Sequence, residues 1–145
     1  MVHLRFSSSG MPHLADRYPQ RILIADDNTV NQRVAAALLE KMGYRVQCAG
    51  NGQEALDAIG RTAIDVILMD VQMPVMDALE ATRRICQIPA DNRPWVIALR
   101  ANATGEDRQE TFAAGMNDYL SKPIRPAELS RALAHAWKQR AARLV

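Results

Sequence analysis

The stretch Arg21–Ala25 reads RILIA and leads directly into two adjacent carboxylates, Asp26 and Asp27. A short apolar run bounded by polar residues is typical of a strand that is buried on both faces of a sheet. Ile64–Met69 (IDVILM) repeats this arrangement, because Asp70 follows it directly. The two stretches therefore predict parallel strands whose carboxyl ends carry acidic side chains.

Further short apolar stretches alternate with segments of helical periodicity. The remaining predicted strands are Tyr44–Ala49, Trp95–Leu99 and Asp118–Ser121. The helical segments carry apolar side chains three or four residues apart, among them the rows Val30, Val34, Leu38 and Met42; Phe112 with Ala113; and Leu129, Ala132, Leu133, Ala136 and Trp137. Five such strand–helix units predict an α/β fold, in which helices cover both faces of a doubly wound, parallel five-stranded sheet.

The predicted helix ends coincide with residues that favour those positions. Glycine tolerates the positive φ that often ends a helix, and the predicted stops are Gly43, Gly60 and Gly115. Short polar side chains accept hydrogen bonds from the first turn of a helix, and the predicted N-caps are Asn51, Asp77 and Thr104. These residues support the predicted division into strands and helices.

The overall composition is that of one globular domain. The chain has 145 residues, of which 48% are hydrophobic and 23% are charged, close to globular averages. Its net charge of +2 is too small to indicate nucleic-acid binding. No apolar run approaches the roughly 18 to 20 residues that a membrane helix requires. We therefore expect a domain that contacts neither nucleic acid nor a membrane.

The two ends of the chain are predicted to lie outside this domain. Residues 1–20 contain a Ser/Gly break and two prolines but no apolar signal-peptide core, which is typical of a leader or linker. We expect the domain to cover residues 21–141 and a tail to cover residues 142–145. The two cysteines, Cys48 and Cys86, are too few for a disulfide framework or a zinc site, which fits a reducing, cytoplasmic compartment.

Acidic side chains gather where the predicted strands end. Ligands of open α/β sheets bind at the carboxyl ends of the strands. If the strand order is 2-1-3-4-5, as in flavodoxin-like sheets, the first and third strands are neighbours, and Asp26, Asp27 and Asp70 converge. Such carboxylates repel one another unless a cation lies among them. Carboxylate oxygens at an exposed, partly hydrated position favour Mg²⁺ or Mn²⁺ over zinc.

A lysine completes this set of residues. Lys122 ends the fifth predicted strand, so its ammonium can reach the same edge of the sheet. A carboxylate nucleophile, a metal ion and a lysine that binds the transferred oxygens together predict a phosphoryl-acceptor site. Each residue alone has an ordinary alternative: Asp27 as a helix cap, Asp70 as a turn residue and Lys122 as a solvated surface lysine. Their joint placement at three strand ends favours the phosphoryl-acceptor site.

Three motifs of this chain resemble those of receiver domains from two-component response regulators. They are Ile24-Ala25-Asp26-Asp27-Asn28, Met69-Asp70-Val71-Gln72-Met73-Pro74 and Tyr119-Leu120-Ser121-Lys122-Pro123. The resemblance covers about residues 21–137 and implies a flavodoxin-like sheet of order 2-1-3-4-5. It also implies that Asp70 accepts phosphate from a phosphohistidine.

The resemblance implies a role for each matching residue. Asp27 and Asp70 would bind Mg²⁺ together with the backbone carbonyl of Gln72, and Asp26 would contribute through water. The other implied roles are phosphoryl contacts by Lys122 and Ala101, a ring rotation of Tyr119 on phosphorylation, and a cis peptide bond between Lys122 and Pro123.

The residues around the site indicate the variety of receiver. Residues 70–82 (DVQMPVMDALEAT) and 114–119 (AGMNDY) are similar to receivers of hybrid sensor histidine kinases, rather than to receivers that precede DNA-binding domains. The implied partner is the dimerisation domain of a histidine kinase or a histidine phosphotransfer domain, in a bacterial phosphorelay. A homodimer and a membrane-anchored parent protein stay open.

Three positions depart from the family pattern. Arg100 stands where the family has a Thr or Ser whose hydroxyl bonds a phosphoryl oxygen. Its side chain can point into solvent, reach the phosphoryl group, or pair with Asp26 or Asp70 and hold the empty site. Ala78 replaces a glycine, so a positive φ there would cost about 1 kcal/mol and reshape the loop beside Asp70. Cys86, where many relatives have Arg, is expected to be neutral.

Other functions remain as alternatives at this point. A pseudo-receiver would act through protein contacts alone, with its switch disabled by Arg100. A phosphatase with an aspartyl-phosphate intermediate needs a second acid two residues after the nucleophile, where this chain has Gln72. A flavin-binding sheet needs a phosphate loop of small hydroxyl residues after the first strand, but Asp26-Asp27-Asn28 repels an anion. We therefore expect a phosphoryl-accepting receiver.

Overall fold

A parallel five-stranded sheet forms the centre of the domain. The structure, a computed structural model, describes residues 13–72, 78–101 and 105–143. Its strands are β1 (Ile22–Ala25), β2 (Val46–Ala49), β3 (Val66–Asp70), β4 (Trp95–Arg100) and β5 (Asp118–Ser121). They are ordered β2-β1-β3-β4-β5, and every neighbouring pair is parallel. The predicted doubly wound α/β fold and its strand order are confirmed.

Helices cover both faces of this sheet. In the described residues they are α1 (Leu14–Arg17), α2 (Thr29–Lys41), α3 (Gly52–Arg61), α4 (Ala78–Ile85), α5 (Gly105–Ala113) and α6 (Pro126–Ala142), and a short 3-10 helix spans Ala90–Asn92. Alternate residues of β1 point to opposite faces, so Ile22 and Ile24 pack with α2 and α6 while Leu23 and Ala25 pack with α3 and α4. Among the described residues, no helix has both the length and the apolar content to cross a membrane.

The predicted apolar row of α2 is only partly buried. Val30 is 62% exposed and Val34 is 54% exposed, whereas Leu38 and Met42 pack against the core. A step of four residues turns a helix by about 400°, so a row at this spacing drifts about 40° per step around the helix. The first two members of the row therefore face outward, and the fully buried positions of the helix are Ala35 and Leu39.

Two of the three predicted glycine stops have the expected backbone. Gly43 has φ of 92° and Gly115 has φ of 102°, in the left-handed region that favours glycine. Gly60 was wrongly predicted, because it lies within α3, which ends one residue later and is followed by Thr62 in an extended conformation. Asn51 caps α3 by accepting a hydrogen bond from the Glu54 N–H, as predicted. The predicted caps Asp77 and Thr104 lie outside the described residues.

Replacement of Gly115 by alanine is expected to destabilise the domain. An added Cβ would overlap the Cys86 sulfur, and a left-handed backbone adds its own cost for an L residue. We expect Gly115→Ala to lower the free energy of unfolding by about 2 kcal/mol or more, measured by urea denaturation. Gly60→Ala is the matched control, because its Cβ would meet nothing within 4 Å, and it is expected to be neutral or slightly stabilising. Equal effects of the two substitutions would contradict this account.

Residues 13–20, which were expected to belong to a leader or linker, pack against the domain. Leu14 and Ala15 of α1 lie against the core cluster beneath α2 and α6. The Tyr44 hydroxyl donates to the Tyr18 carbonyl at 2.7 Å, and buried Gln20 donates to the Leu133 carbonyl at 3.1 Å. Composition did not show this packing, because its partners lie up to 113 residues away in the sequence.

The described residues at the opposite end of the chain also pack against the domain. α6 continues to Ala142, and Arg143 donates to the Arg93 carbonyl at 3.3 Å. The guanidinium of Arg143 also lies 5.2 Å from the centre of the Trp95 ring. The described part of the predicted tail therefore contacts the domain.

Candidate functional site

Three carboxylates meet at the carboxyl ends of β1 and β3. Ala25 is level with Met69 across the two strands, so Asp26, which follows β1, lies beside Asp70, the last residue of β3. One carboxylate oxygen from each of Asp26, Asp27 and Asp70 lies within 4.8 Å of the others. Asp26 and Asp70 are 1% and 3% exposed, whereas Asp27 faces solvent. The structure thus brings together the three acids that the sequence singled out.

Lys122 offsets part of this negative charge. Its ammonium lies 3.1 Å from Asp70 Oδ1 and 3.8 Å from Asp26 Oδ2. The backbone N–H of Lys122 donates to the Arg100 carbonyl at 2.8 Å, which holds the lysine at the edge of the sheet. The predicted cis peptide bond between Lys122 and Pro123 is present. One ammonium against three carboxylates leaves the site with a surplus of negative charge.

Burial and this surplus of negative charge both affect the pKa of Asp26. Burial raises the pKa of Asp26 above its ordinary value, and the neighbouring charges of Asp70 and Asp27 raise the pKa further. The hydrogen bond from the Asn28 N–H and the charge of Lys122 oppose these effects on the pKa without cancelling them. A cation at the site would remove the repulsion that disfavours ionised Asp26.

The donor set fits a hard divalent cation. All three side chains offer carboxylate oxygens, and the described part of the cluster contains no thiolate or imidazole. Asp27 and Gln72 are exposed, and a site that is open to solvent there would suit a partly hydrated ion such as Mg²⁺. Asp26, Asp27 and Asp70 are therefore the residues that would hold Mg²⁺ or Mn²⁺.

Backbone hydrogen bonds orient the buried carboxylates. The Asn28 N–H donates to Asp26 Oδ1 at 2.9 Å, and the Gln72 N–H donates to Asp70 Oδ1 at 3.1 Å. The Asn28 side chain accepts hydrogen bonds from the N–H groups of Val30 and Asn31 and caps α2, a role that we did not predict. Each acid therefore lies in a short turn that is closed by its own side chain.

Arg100 does not point into solvent, and its contact with a phosphoryl group stays a prediction. Its Nε donates to Thr111 Oγ1 at 2.8 Å, and its Nη1 lies 3.2 Å from Asp107 Oδ1. A longer contact of 3.9 Å joins Nη2 to Glu110 Oε1. The side chain is only 11% exposed, and among the described ion pairs none joins Arg100 to Asp26 or Asp70. Arg100 therefore ties the end of β4 to α5 through one hydroxyl and two carboxylates of that helix.

The aromatic residue predicted to rotate, Tyr119, packs against α5. Its half-buried ring meets the Phe112 ring edge-on at 6.4 Å between centroids. The Arg108 guanidinium lies 4.5 Å from the centre of the same ring. Tyr119 thus contacts the helix that Arg100 also holds.

The two alanines near the site lie in ordinary environments. Ala101, which the resemblance assigns to a phosphoryl contact, is exposed directly after β4. Ala78 is fully buried and begins α4, and its helical backbone avoids the strain that a positive φ would have caused. Ala fits because a helical backbone suits it better than glycine. Residues 73–77, which precede Ala78, lie outside the described residues.

The fold and this arrangement define a class of signalling domain. The model of the response regulator receiver domain family matches residues 22–134, so the chain belongs to that family. The chain is 43% identical over 125 residues to hybrid signal transduction histidine kinase H of Dictyostelium discoideum, covering 83% of this chain and 9% of that protein. It is 38% identical over 123 residues to sensor protein GacS of Pseudomonas syringae, covering 83% of this chain and 14% of that protein.

Solved structures show the same likeness. The receiver domain of sensor histidine kinase PA1611 from Pseudomonas aeruginosa, whose active-site cleft holds magnesium, is 46% identical with a TM-score of 0.73. That comparison covers 81% of this chain and 96% of the other. A second match is the Saccharomyces cerevisiae co-crystal structure of the histidine phosphotransfer protein Ypd1 and the receiver domain of Ssk1. It has 29% identity and a TM-score of 0.77, and it covers 84% of this chain and 91% of the other.

The curated relatives are much longer than this chain. The curated relatives named above are a hybrid histidine kinase and a sensor protein, and this chain spans only a small part of each. The chain is therefore similar to receiver segments of phosphorelay kinases. Because relatives occur in an amoeba as well as in bacteria, the predicted bacterial source stays a prediction.

Proposed function

We propose that this receiver accepts a phosphoryl group on Asp70 from a phosphohistidine, with Mg²⁺ held by Asp26, Asp27, Asp70 and the Gln72 carbonyl. The observation that carries the proposal is the position of buried Asp70 within a carboxylate cluster, with the Lys122 ammonium 3.1 Å away. The Lys122 ammonium, and a metal ion held by the carboxylates, would offset the negative charge of an entering phosphoryl group beside the nucleophile.

The transfer itself is a substitution at phosphorus. An oxygen of the Asp70 carboxylate attacks, the P–O bond forms, the P–N bond of the phosphohistidine breaks, and its electron pair returns to the imidazole, which takes up a proton. Lys122 binds a phosphoryl oxygen and the Ala101 N–H contacts another. Mg²⁺ offsets the negative charge on the entering group when it is bound. The resemblance assigns Tyr119 a ring rotation on phosphorylation, and we expect the contacts between Arg100 and α5 to restrain that rotation in this chain.

The pseudo-receiver alternative has no support in this site. It was based on Arg100, yet Arg100 contacts α5 and leaves the carboxylates and Lys122 in place. We also propose that the chain is the receiver segment of a longer, cytoplasmic hybrid histidine kinase. Its free cysteines, Cys48 and Cys86, suit a reducing compartment.

The proposal is tested by intact-mass measurement of the purified chain. With a small acyl phosphate donor and Mg²⁺, we expect one phosphoryl adduct per chain, and we expect EDTA to prevent its formation. Absence of the adduct under conditions that label an ordinary receiver would refute the proposal in favour of a pseudo-receiver.

The exposed valines of α2 support a protein donor. α2 begins two residues after Asp27, and Val30 and Val34 lie on one side of it, four residues apart. Because α2 begins close to Asp27, a domain that brings a histidine to Asp70 would lie against the exposed side of α2. We propose that a histidine phosphotransfer domain docks there, and the dimerisation domain of a kinase is the other candidate donor.

Val34→Asp is expected to slow transfer from a phosphorylated histidine phosphotransfer domain about 10-fold, because a charge replaces an apolar contact. Labelling by the small acyl phosphate donor is expected to be unchanged. Phe112→Asp is the control, since Phe112 is also an exposed apolar residue but lies on α5. Equal slowing by both variants, or slowing with the small donor, would contradict docking at α2.

A further inference from the structure

Gln32 joins three elements directly behind the acidic cluster. Its side-chain amide Nε2 donates to the Asp26 carbonyl at 2.6 Å and lies 3.3 Å from the Ala49 carbonyl, at the ends of β1 and β2. The Asp26 N–H donates to the same Ala49 carbonyl at 3.0 Å. Gln32 lies on α2 and is partly buried, so these bonds fix the helix to the strand ends.

These bonds bear on the direction of two carboxylates. The carbonyl of Asp26 belongs to the peptide plane that joins Asp26 to Asp27, and a peptide plane is rigid. Fixing that carbonyl therefore fixes the backbone on which both acidic side chains are mounted. Within the same turn, the Asn28 N–H donates to Asp26 Oδ1 at 2.9 Å. Gln32 is the side chain in the described residues that holds the carbonyl of this turn.

Electrostatic repulsion makes such support useful. Asp26, Asp27 and Asp70 repel one another in the metal-free site, and the turn after β1 would relieve that repulsion by moving outward. The Gln32 amide resists the movement without adding charge. A ligand turn that is already in place costs a cation less to bind, and supporting residues outside the ligand set commonly change metal affinity 10-fold or more.

We propose that Gln32 is a positioning residue for the acidic site: it holds the Asp26–Asp27 turn in the geometry that binds a divalent cation, without touching the cation. The proposal rests on the proposed function, because it concerns the same metal. It predicts a selective loss of cation affinity when the amide donor is removed.

The test compares Gln32→Met with Gln53→Met. Methionine keeps the length of the side chain and a high helix propensity but has no N–H donor. Gln53 is the matched control, because it lies on α3 and its amide donates to the exposed Asp57 side chain at 3.0 Å. We expect Gln32→Met to weaken Mg²⁺ binding about 10-fold and Gln53→Met to change it less than 2-fold, measured by titration of backbone amide shifts with Mg²⁺.

A second measurement separates positioning from simple structural support. In EDTA, we expect Gln32→Met to speed hydrogen exchange at the Asp26 and Asn28 amides while leaving α6 unchanged. Lower thermal stability with an unchanged Mg²⁺ affinity would overturn the proposal. If the unmodified chain bound no Mg²⁺, the proposed function would fail, and the exchange at Asp26 and Asn28 would still decide whether Gln32 holds the turn.

Discussion

Asp70→Asn is expected to abolish the phosphoryl adduct, a loss of at least about 100-fold in labelling. Asparagine has the same shape as aspartate, but its amide oxygen is a poor nucleophile and carries no charge. Asp70 is the carboxylate that lies closest to Lys122, at 3.1 Å, and only 3% of it is exposed. The measurement is intact mass after incubation with a small acyl phosphate donor and Mg²⁺.

Two further variants sharpen this prediction. Asp57→Asn removes an exposed carboxylate on α3 and is expected to leave labelling unchanged. Asp27→Asn removes a proposed metal ligand but not the nucleophile, so we expect its labelling to fall and to recover at higher Mg²⁺ concentration. A phosphoryl adduct on Asp70→Asn would show that another group, such as Asp26, is the acceptor, and would contradict the assignment of Asp70.

The site acids could be predicted from sequence because their placement depends on local signals. Each apolar strand is recognisable from a run of five or six residues, and Asp26 and Asp70 directly follow such runs. Parallel pairing then places all strand ends at one edge, with Ala25 level with Met69. Lys122 reaches the same edge by the same rule. Strand order and the acidic cluster were therefore both within reach of the sequence.

The features that escaped prediction depend on contacts between distant residues. Gln32 binds the carbonyls of Asp26 and Ala49 at the ends of two strands. Asp26 precedes Gln32 by 6 residues in the sequence, and Ala49 follows it by 17. The packing of residues 13–20 depends on Tyr44 and Leu133. No periodic pattern encodes such partners, because a hydrogen bond to a carbonyl requires nothing of the residue that supplies the carbonyl.

The direction of Arg100 belongs to the same group of features. Its acceptors lie on α5, where Asp107, Glu110 and Thr111 occupy neighbouring turns of one helix. A strand-end residue seen in isolation offers no reason to choose α5 over the acidic cluster. Arg100 turns toward α5 because a buried guanidinium needs acceptors, and α5 supplies carboxylates and a hydroxyl within reach.

Arg100→Thr is expected to loosen α5. Arg100 donates to the buried Thr111 hydroxyl, which in turn donates to the Asp107 carbonyl at 2.8 Å, and it pairs with Asp107. Threonine is too short to reach these acceptors. Hydrogen bonds of charged donors contribute about 2 kcal/mol, so we expect amide exchange in Gly105–Ala113 to rise roughly 30-fold, measured by hydrogen exchange in EDTA.

The same variant tests how phosphorylation reaches α5. Threonine restores the hydroxyl that the family has at this position, and Tyr119 packs against α5 through Phe112 and Arg108. We expect phosphorylation to change α5 exchange and Tyr119 shifts little in the unmodified chain and clearly in Arg100→Thr. Arg83→Thr, which removes an exposed arginine paired with Glu80 on α4, is the control. We expect it to change neither the α5 exchange nor the response of Tyr119 to phosphorylation.

Equal α5 exchange in Arg100→Thr and Arg83→Thr would contradict a tie between Arg100 and α5. A phosphorylation response that Arg100→Thr leaves unaltered would show that this tie does not restrain the helix.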